Sequence, residues 1–333
     1  MKFTKDSIVI NPKEEVERIV KSIRNNVFNI LKKKGGVVGV SGGVDSSVVL
    51  AMTAKALGSE KVLAIMLPEK ESSDENIPLV KKLLNNVGVE NIIEDMTEAL
   101  NGFGCYQRRD NAVKNIFPEY DSSYKMRIIL PHNLLEKNNL NLYYLEIISP
   151  KGEVKKTRLP LKEYLQIVAA SNFKQRSRMS MLYYHAELRN YAVIGTPNKN
   201  EHDQGFFVKY GDSGSDIRPI KHLFKTQVYQ LADYLEIPIE IKERIPTSDT
   251  YSASQTQEEF FFRIPFHLLD RIWYGWENNV PSEIIADELN LSKVQVENVI
   301  NDIIRKTYTT EYLRKSPIDV EATMETKQYS LSV

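Results

Sequence analysis

The chain has 333 residues, with 44 Lys and Arg against 44 Asp and Glu, 42% hydrophobic residues and 26% charged ones. That balance belongs to a folded globular chain and excludes wholesale disorder, while zero net charge argues against bulk electrostatic binding to nucleic acid or anionic lipid. Cys105 has no second cysteine to pair with, no apolar run approaches the roughly 20 residues that span a bilayer, and residues 1–12 lack a signal-peptide core, so a soluble, cytoplasmic protein is expected.

Residues 13–34 predict a helix, with Val16, Ile19, Val20, Ile23, Val27, Ile30 and Leu31 at helical spacing, stopped by Gly35-Gly36. Val37-Val38-Gly39-Val40 reads as a short buried parallel strand. The turn Ser41-Gly42-Gly43 leads into a helix over 45–57. A strand over 62–67, a helix over 76–87 and a strand starting at 91 follow. Strand alternating with helix implies right-handed crossovers and a parallel sheet covered on both faces. Residues 120–165 break this rhythm: 125–130 and 142–149 are strand-like and Pro150-Lys151-Gly152-Glu153 is a hairpin turn, so a small antiparallel insertion is expected. A helix over 161–190, a buried strand over 191–194, a helix over 222–235 and two helices within 281–306 complete the reading. The last pair has helix-turn-helix spacing, but its second helix holds one Lys and two acids over 293–302. It is poor in cations for phosphate, so packing or dimer formation is the better account.

The chemistry is concentrated at Gly39-Val40-Ser41-Gly42-Gly43-Val44-Asp45-Ser46-Ser47, between a strand and a helix. Glycines let the backbone approach an anion closely, and their amides with the helix N-terminus form a cradle for phosphate. Ser41, Ser46 and Ser47 add hydroxyls. Asp45 is unwelcome beside a bare phosphate and so points to a bridging Mg2+. No Gly-Lys-Ser/Thr is present, which separates this loop from those that grip a γ-phosphate.

The loop resembles the pyrophosphate-binding loop of the N-type ATP pyrophosphatases, which cleave ATP between its α- and β-phosphates to adenylate an acceptor. The second half selects the member. Asn172-Phe173-Lys174-Gln175-Arg176-Ser177-Arg178-Met179, Gly195-Thr196-Pro197-Asn198-Lys199-Asn200-Glu201, Gly205 to Asp212, Ser215-Asp216-Ile217-Arg218, Phe224-Lys225-Thr226-Gln227, Pro246-Thr247-Ser248-Asp249 and Gln255-Thr256-Gln257-Glu258-Glu259 follow in an order similar to the ammonia-dependent NAD synthetase family. The resemblance covers about residues 15–115 and 168–262. It implies a doubly wound parallel α/β fold of the adenine nucleotide alpha hydrolase type.

Site roles follow from the resemblance. Gly39, Ser41, Gly42, Gly43, Asp45, Ser46, Ser47, Thr196 and Lys225 are expected to bind ATP and its pyrophosphate. Asp45 and Glu201 are expected on Mg2+. Asp45, Lys209 and Arg176 are expected to be catalytic, the last two as phosphate and transition-state charges. Arg178, Lys209, Asp212, Asp216 and Asp249 are expected at the acceptor, the alternatives for Asp212 and Asp216 being to orient Lys209 or to cap the loop. Asp249 and Glu258 fall in a segment that orders over substrate in the family, excluding water from a hydrolysable adenylate. No protein nucleophile is needed: a carboxylate attacks the α-phosphorus of ATP, and ammonia then displaces AMP. Cys105 is read as a packed or partly exposed thiol rather than a nucleophile, and His202 as a ligand contact or an ordinary loop residue.

Three features depart from the family's pattern: Pro197 after Gly195-Thr196, the insertion at 120–165, and an end over 263–333 that is longer than usual; Glu258-Glu259-Phe260-Phe261-Phe262 is also strongly aromatic, as an altered acceptor pocket or as core. The expected organisation is an α/β unit over 1–262 and a helical extension over 263–333. The acceptor is expected to be nicotinate adenine dinucleotide, the alternatives being another carboxylate such as a sugar acid, or a nucleotide-binding regulator without turnover. No glutaminase is visible, so ammonia is expected free or from a separate glutaminase. A homodimer is implied by the resemblance alone.

Overall fold

The structure is a computed structural model, described here for residues 3–73, 75–130, 133–135, 142–247 and 250–319. Asp249 lies outside these residues. In chain order, helix α1 (Pro12–Asn25) is capped by Asn11, whose side chain accepts from the Glu14 amide, and passes into a π turn over Asn26–Ile30. The expected helix over 13–34 stops there because Lys32 takes a left-handed conformation at φ 54°. Next come β1 (Gly36–Gly39), α2 (Val44–Leu57), β2 (Val62–Met66), α3 (Asn76–Val87) and β3 (Glu90–Ile93), followed by two helices that hydropathy does not announce, α4 (Thr97–Gly102) and α5 (Cys105–Lys114). The insertion supplies β4 (Lys125–Ile129), β5 (Tyr144–Ile148) and β6 (Val154–Arg158). Then follow α6 (Leu161–Arg189), β7 (Ala192–Ile194), α7 (Lys199–Gln204), α8 (Lys225–Tyr234), α9 (Ile239–Lys242), α10 (Phe266–Glu277), α11 (Ser282–Leu289), α12 (Lys293–Thr309) and α13 (Glu311–Arg314).

The main sheet is parallel in the order β3-β2-β1-β7. Strands β1, β2 and β7 are apolar and buried because both faces are covered, whereas the edge strand β3 is mostly exposed. Val37, Leu63, Ile65 and Val193 pack with Met179, Leu182 and Ala186 of α6. Val38, Ala64, Met66 and Ile194 point the other way, into a core with α1, α2 and α8. Helix α2 is apolar nearly all round and is buried nearly all round. From β1 the chain moves to β2 and β3 on one side, and later returns to β7 on the other. The strand order therefore reverses at β1, and ligands of open α/β sheets bind at the carboxyl ends beside such a reversal.

The insertion is a separate antiparallel sheet, β4-β5-β6, with Tyr144 opposite Ile129 and Arg158. Its inner residues Met126, Ile128, Leu145 and Ile147 share a core with α5, Ile167 and Tyr251. Buried charges tie this region to the main sheet: Lys174 pairs with Glu69 at 3.0 Å and Glu71 at 2.6 Å, and Arg109 pairs with Glu71 at 2.5 Å. Helices α10, α11 and α12 enclose an aromatic core that also takes in Phe3, Ile8, Phe224 and Phe262. Buried Asp302 on α12 accepts from Arg263 and Lys306, and Lys306 donates to the Phe261 carbonyl, which fixes segment 258–263 against the helices. No helix among the described residues is long and apolar enough to cross a membrane.

Candidate active site

The loop between β1 and α2 keeps the conformation its residues require. Gly42 has φ +80°, and a Cβ there would stand 3.2 Å from the Asn76 carbonyl oxygen and 3.3 Å from Arg244 Nη1. Ser46 and Ser47 donate to the Gly43 carbonyl at 3.0 and 2.8 Å, and Ser41 Oγ lies 3.4 Å from Ser46 Oγ. Ser47 is buried, so its hydroxyl holds the turn, while Ser41, Gly43, Val44 and Ser46 border a cavity of about 130 Å³.

Asp45 faces into that cavity from the first turn of α2. Its Oδ2 pairs with Lys225 Nζ, and its Oδ1 accepts from Asn198 Nδ2 at 2.9 Å. Asn198 is also the N-cap of α7. Its side chain accepts from the Glu201 amide at 3.0 Å, and the Asn198 amide donates to Glu201 Oε2 at 3.2 Å. This capping box places Glu201 beside Asp45. Enclosure and the Asp45 charge push Glu201 up to about 8, against the pull of Lys225. Burial works against the Lys225 ammonium, yet Asp45 and Glu201 hold it above its ordinary value. Behind this group, fully buried Asp270 of α10 accepts from Asn200 Nδ2 at 2.5 Å and from the Thr226 amide at 2.8 Å, and the Lys225 amide donates to Asn200 Oδ1 at 2.9 Å. Burial pushes Asp270 up to about 6.

Two further cavities share lining residues with the first. One, of about 280 Å³, runs along the carboxyl ends of β1, β2 and β7 past Gly39, Met66, Ile77, Met179 and Thr196. Its lining mixes apolar side chains such as Met66, Ile77, Val80 and Leu182, for which we call it the apolar cavity, with polar ones such as Ser46, Gln175 and Arg178. The other, of about 540 Å³, lies between the insertion and the end of α12, and it is aromatic. Tyr143 and Tyr164 stack at 4.6 Å on one side, and Phe206 and Phe261 at 4.7 Å on another. The three cavities converge. Gln257 borders all of them; Thr196 joins the first two, Glu201 joins the loop cavity and the aromatic one, and Arg178 and Asp212 join the apolar and aromatic ones. Gln257 Nε2 donates to Glu201 Oε1 at 3.3 Å, and its own Oε1 is buried with no partner among the described residues.

The expected residues divide. Gly39, Ser41, Gly43, Asp45, Ser46, Thr196, Glu201 and Lys225 come together around the loop cavity and its apolar neighbour. Arg176 and Lys209 lie instead on the aromatic cavity. Arg176 Nε donates to the Lys209 carbonyl at 3.1 Å, and Lys209 Nζ donates to the carbonyls of Tyr312 and Lys315 at 3.1 and 2.9 Å. Arg178 Nε donates to the Leu67 carbonyl at 3.0 Å. Asp212 accepts from the Val208 amide at 2.6 Å, and burial pushes it up to about 6. Asp216 borders none of these cavities. Its two oxygens accept from Tyr183 OH at 2.9 Å and the Val193 amide at 2.8 Å, which ties it to β7. Glu258 accepts from the Phe266 amide at 2.7 Å, and His202 is buried against Phe207 and Asp203. Cys105 is buried, donates to the Ala170 carbonyl at 3.1 Å, and is pushed up by burial. Asn198, Gln257 and Asp270 join the site without a role expected from sequence. Asn198 left a signal, since Asn-x-x-Glu ahead of a helix is a capping pattern.

Among the described residues no three His, Cys, Asp or Glu gather as a metal cluster. Asp45, Glu201 and the orphaned Gln257 carbonyl are nevertheless all oxygen donors, a set that suits a hard cation completed by phosphate and water.

Comparison with known proteins agrees with this geometry. The NAD synthase family profile matches residues 15–128 and 110–317. An NH(3)-dependent NAD(+) synthetase of Mesorhizobium japonicum is 43% identical over 311 residues, 93% of this chain and 97% of that one. One from Methanocaldococcus jannaschii is 32% identical over 91% of this chain and 96% of its own. Among solved structures, an NMN synthetase from Francisella tularensis superposes with a TM-score of 0.62 at 21% identity, covering 93% of this chain and 99% of that one. An NH3-dependent NAD synthetase from Campylobacter jejuni superposes at 0.60 and 21%, covering 94% and 100%. Motifs, fold and relatives agree, and the chain belongs to the NAD synthase family.

Proposed function

We propose that this chain is an ATP- and Mg2+-dependent ligase that forms NAD from nicotinate adenine dinucleotide and ammonia. The observation that carries the reading is the meeting of three cavities at Gln257, because adenylation must bring a nucleotide, its leaving pyrophosphate and an acceptor carboxylate to one point. The apolar cavity along the strand ends suits adenosine. The Gly42–Ser46 turn receives the β- and γ-phosphates. The aromatic cavity takes the acceptor, whose flat rings stack well on tyrosine and phenylalanine.

An acceptor carboxylate oxygen attacks the α-phosphorus, and the bond from that phosphorus to the β-phosphate oxygen breaks. Pyrophosphate leaves with the electron pair toward the loop amides. Ammonia then attacks the activated carbonyl carbon, the bond to the AMP oxygen breaks, and the extra proton on nitrogen passes to solvent. Asp45 and Glu201 would hold Mg2+, which supplies neutralisation of charge on the departing pyrophosphate. Lys225 keeps the two carboxylates together, and Asn198 fixes Asp45 toward the loop. Arg178 and Asp212 stand where the nucleotide and acceptor cavities join, and Arg176 and Lys209 are positioned for the acceptor. Asp249 belongs to the segment proposed to cover the substrates. Catalysis is then positioning and charge neutralisation.

The proposal includes a homodimer working in the cytoplasm on ammonia that is free or released by a separate glutaminase, with residues 1–262 as the catalytic unit and 263–333 as its extension. A panel of carboxylates with ATP, Mg2+ and ammonium, scored for AMP, pyrophosphate and amide, tests it. Equal yields of NAD, AMP and pyrophosphate from nicotinate adenine dinucleotide are expected. Turnover only with another carboxylate, such as a sugar acid, would replace the acceptor, and ATP binding without turnover on any would make the chain a regulator.

A further inference from the structure

The phosphate cavity is short of positive charge. Two acids border it, Asp45 and Glu201, and the Lys225 ammonium is already committed to Asp45. Pyrophosphate arriving there carries several negative charges, and the loop amides supply only partial dipoles against them. Arg176 and Lys209, the cations expected from sequence, border a different cavity and are held there by backbone carbonyls.

Among the described residues one other cation borders the phosphate cavity, Arg244. It follows the short helix α9 and reaches back over the loop, with Nη1 3.3 Å from where a Cβ on Gly42 would stand. Gly42 thus serves twice, by accepting a left-handed φ and by leaving room for a guanidinium. Arg244 is half-buried, and among the described residues its guanidinium makes no hydrogen bond or ion pair within the protein. A planar fork of donors, uncommitted and beside the phosphate turn, matches two oxygens of a phosphate at once.

We propose that Arg244 is the clamp for the leaving group: its guanidinium donates to the β- and γ-phosphate oxygens of ATP and holds them as pyrophosphate when the α–β bond breaks. This rests on reading the 41–46 turn as the pyrophosphate site. Arg244 makes and breaks no covalent bond. It gains contact as charge grows on the leaving group, so its effect falls on turnover as well as on binding.

The test compares the full-length parent with Arg244→Ala and Arg244→Lys. Magnesium pyrophosphate and AMP are titrated separately by calorimetry, and KM is measured for ATP and for the acceptor. Among the described residues Arg244 has no hydrogen-bond or ion-pair partner, so both variants should melt with the parent. Arg244→Ala should bind magnesium pyrophosphate about 10- to 100-fold more weakly, as expected for lost hydrogen bonds to a charged group. Its kcat should fall, while AMP affinity and acceptor KM stay with the parent. Arg244→Lys, a point charge without the fork, should recover only part of the loss. Unchanged pyrophosphate affinity in Arg244→Ala overturns the proposal, and so does an equal loss for AMP, which would mark general damage to the site. A parent that binds no pyrophosphate would instead fail the assignment of the cavity, and the clamp with it.

Discussion

Lys225 and Asp45 form the ion pair on which the phosphate cavity is built, and replacing Lys225 with Met separates charge from bulk. The Lys225 side chain is 1% exposed and that of Asp45 15%. Met fills similar space but leaves Asp45 and Glu201 side by side with no cation. Removing one partner of a buried pair costs about 3–5 kcal/mol. The lower end, about 3 kcal/mol, is expected here because Asp45 keeps some contact with water. Asp45→Asn makes the reciprocal break and should cost more, about 4–5 kcal/mol, because it strands an ammonium almost wholly out of solvent. An amide at 45 must also turn its NH2 toward either Lys225 or Asn198, both of which donate to the carboxylate. The double variant strands neither charge, so the two costs should fail to add by about 2–3 kcal/mol. Urea unfolding at neutral pH, read as midpoint shifts at constant m, measures all three. Mg2+ should restore part of the stability of Lys225→Met, since a divalent cation can take the place of the ammonium between the carboxylates. Single variants within about 1 kcal/mol of the parent, or costs that add within about 0.5 kcal/mol, would refute the reasoning.

Gly42→Ala should raise the KM for ATP about tenfold or more and leave acceptor KM unchanged, since the added Cβ is strained by about 1–2 kcal/mol and intrudes on the phosphate turn; steady-state kinetics with each substrate varied would show the opposite if the turn does not hold phosphate. Glu201 is pushed up to about 8 in the fold from an ordinary 4.5, so the folded state retains a proton that the unfolded chain loses, and stability falls as pH rises between those values. Glu201→Gln should remove that slope, with melting curves of parent and variant diverging in the variant's favour from pH 5 to pH 8; parallel curves would contradict it. Asp270→Asn keeps the shape but cannot accept from both Asn200 and the Thr226 amide, so a loss of about 1–3 kcal/mol in denaturant and a lower kcat are expected, against no change if α10 does not support the site. Cys105→Ala should turn over within about twofold of the parent, as a buried thiol held in protonated form takes no part in the chemistry; a large drop in kcat at unchanged stability would bring it back as a nucleophile.

Elements with local signatures were legible. Helix α3 falls where its apolar spacing and the following Gly88 place it, and α12 starts at Ser292, whose side chain accepts from the Gln295 amide at 3.2 Å. The strand, turn and helix around Gly42 follow from residue type alone. Helix α5 was not legible: Arg109 lies on its buried side and is satisfied by Glu71, 38 residues away, so no local hydrophobic stripe marks it. Strand β6, Val-Lys-Lys-Thr-Arg, is nearly all exposed and owes its state to pairing with β5. In the site, Asp45, Thr196, Glu201 and Lys225 could be grouped through the family resemblance of their motifs, and the fold sets all four on one cavity. Which cavity a long cation faces could not. Arg176 and Lys209 are drawn to the aromatic side by contacts with each other and with residues 312–315, far along the chain. Asp216 is spent on a strand amide and a tyrosine that only the folded chain brings near.

Transfer of the acceptor's own oxygen to AMP is the most direct test of adenylation where the three cavities meet. Acceptor carrying a heavy-oxygen label in its carboxylate is turned over with ATP, Mg2+ and ammonium, and the nucleotide product is weighed by mass spectrometry. One labelled oxygen in each AMP, with unlabelled pyrophosphate, is the expected result. Unlabelled AMP, or ADP and phosphate in its place, would contradict it.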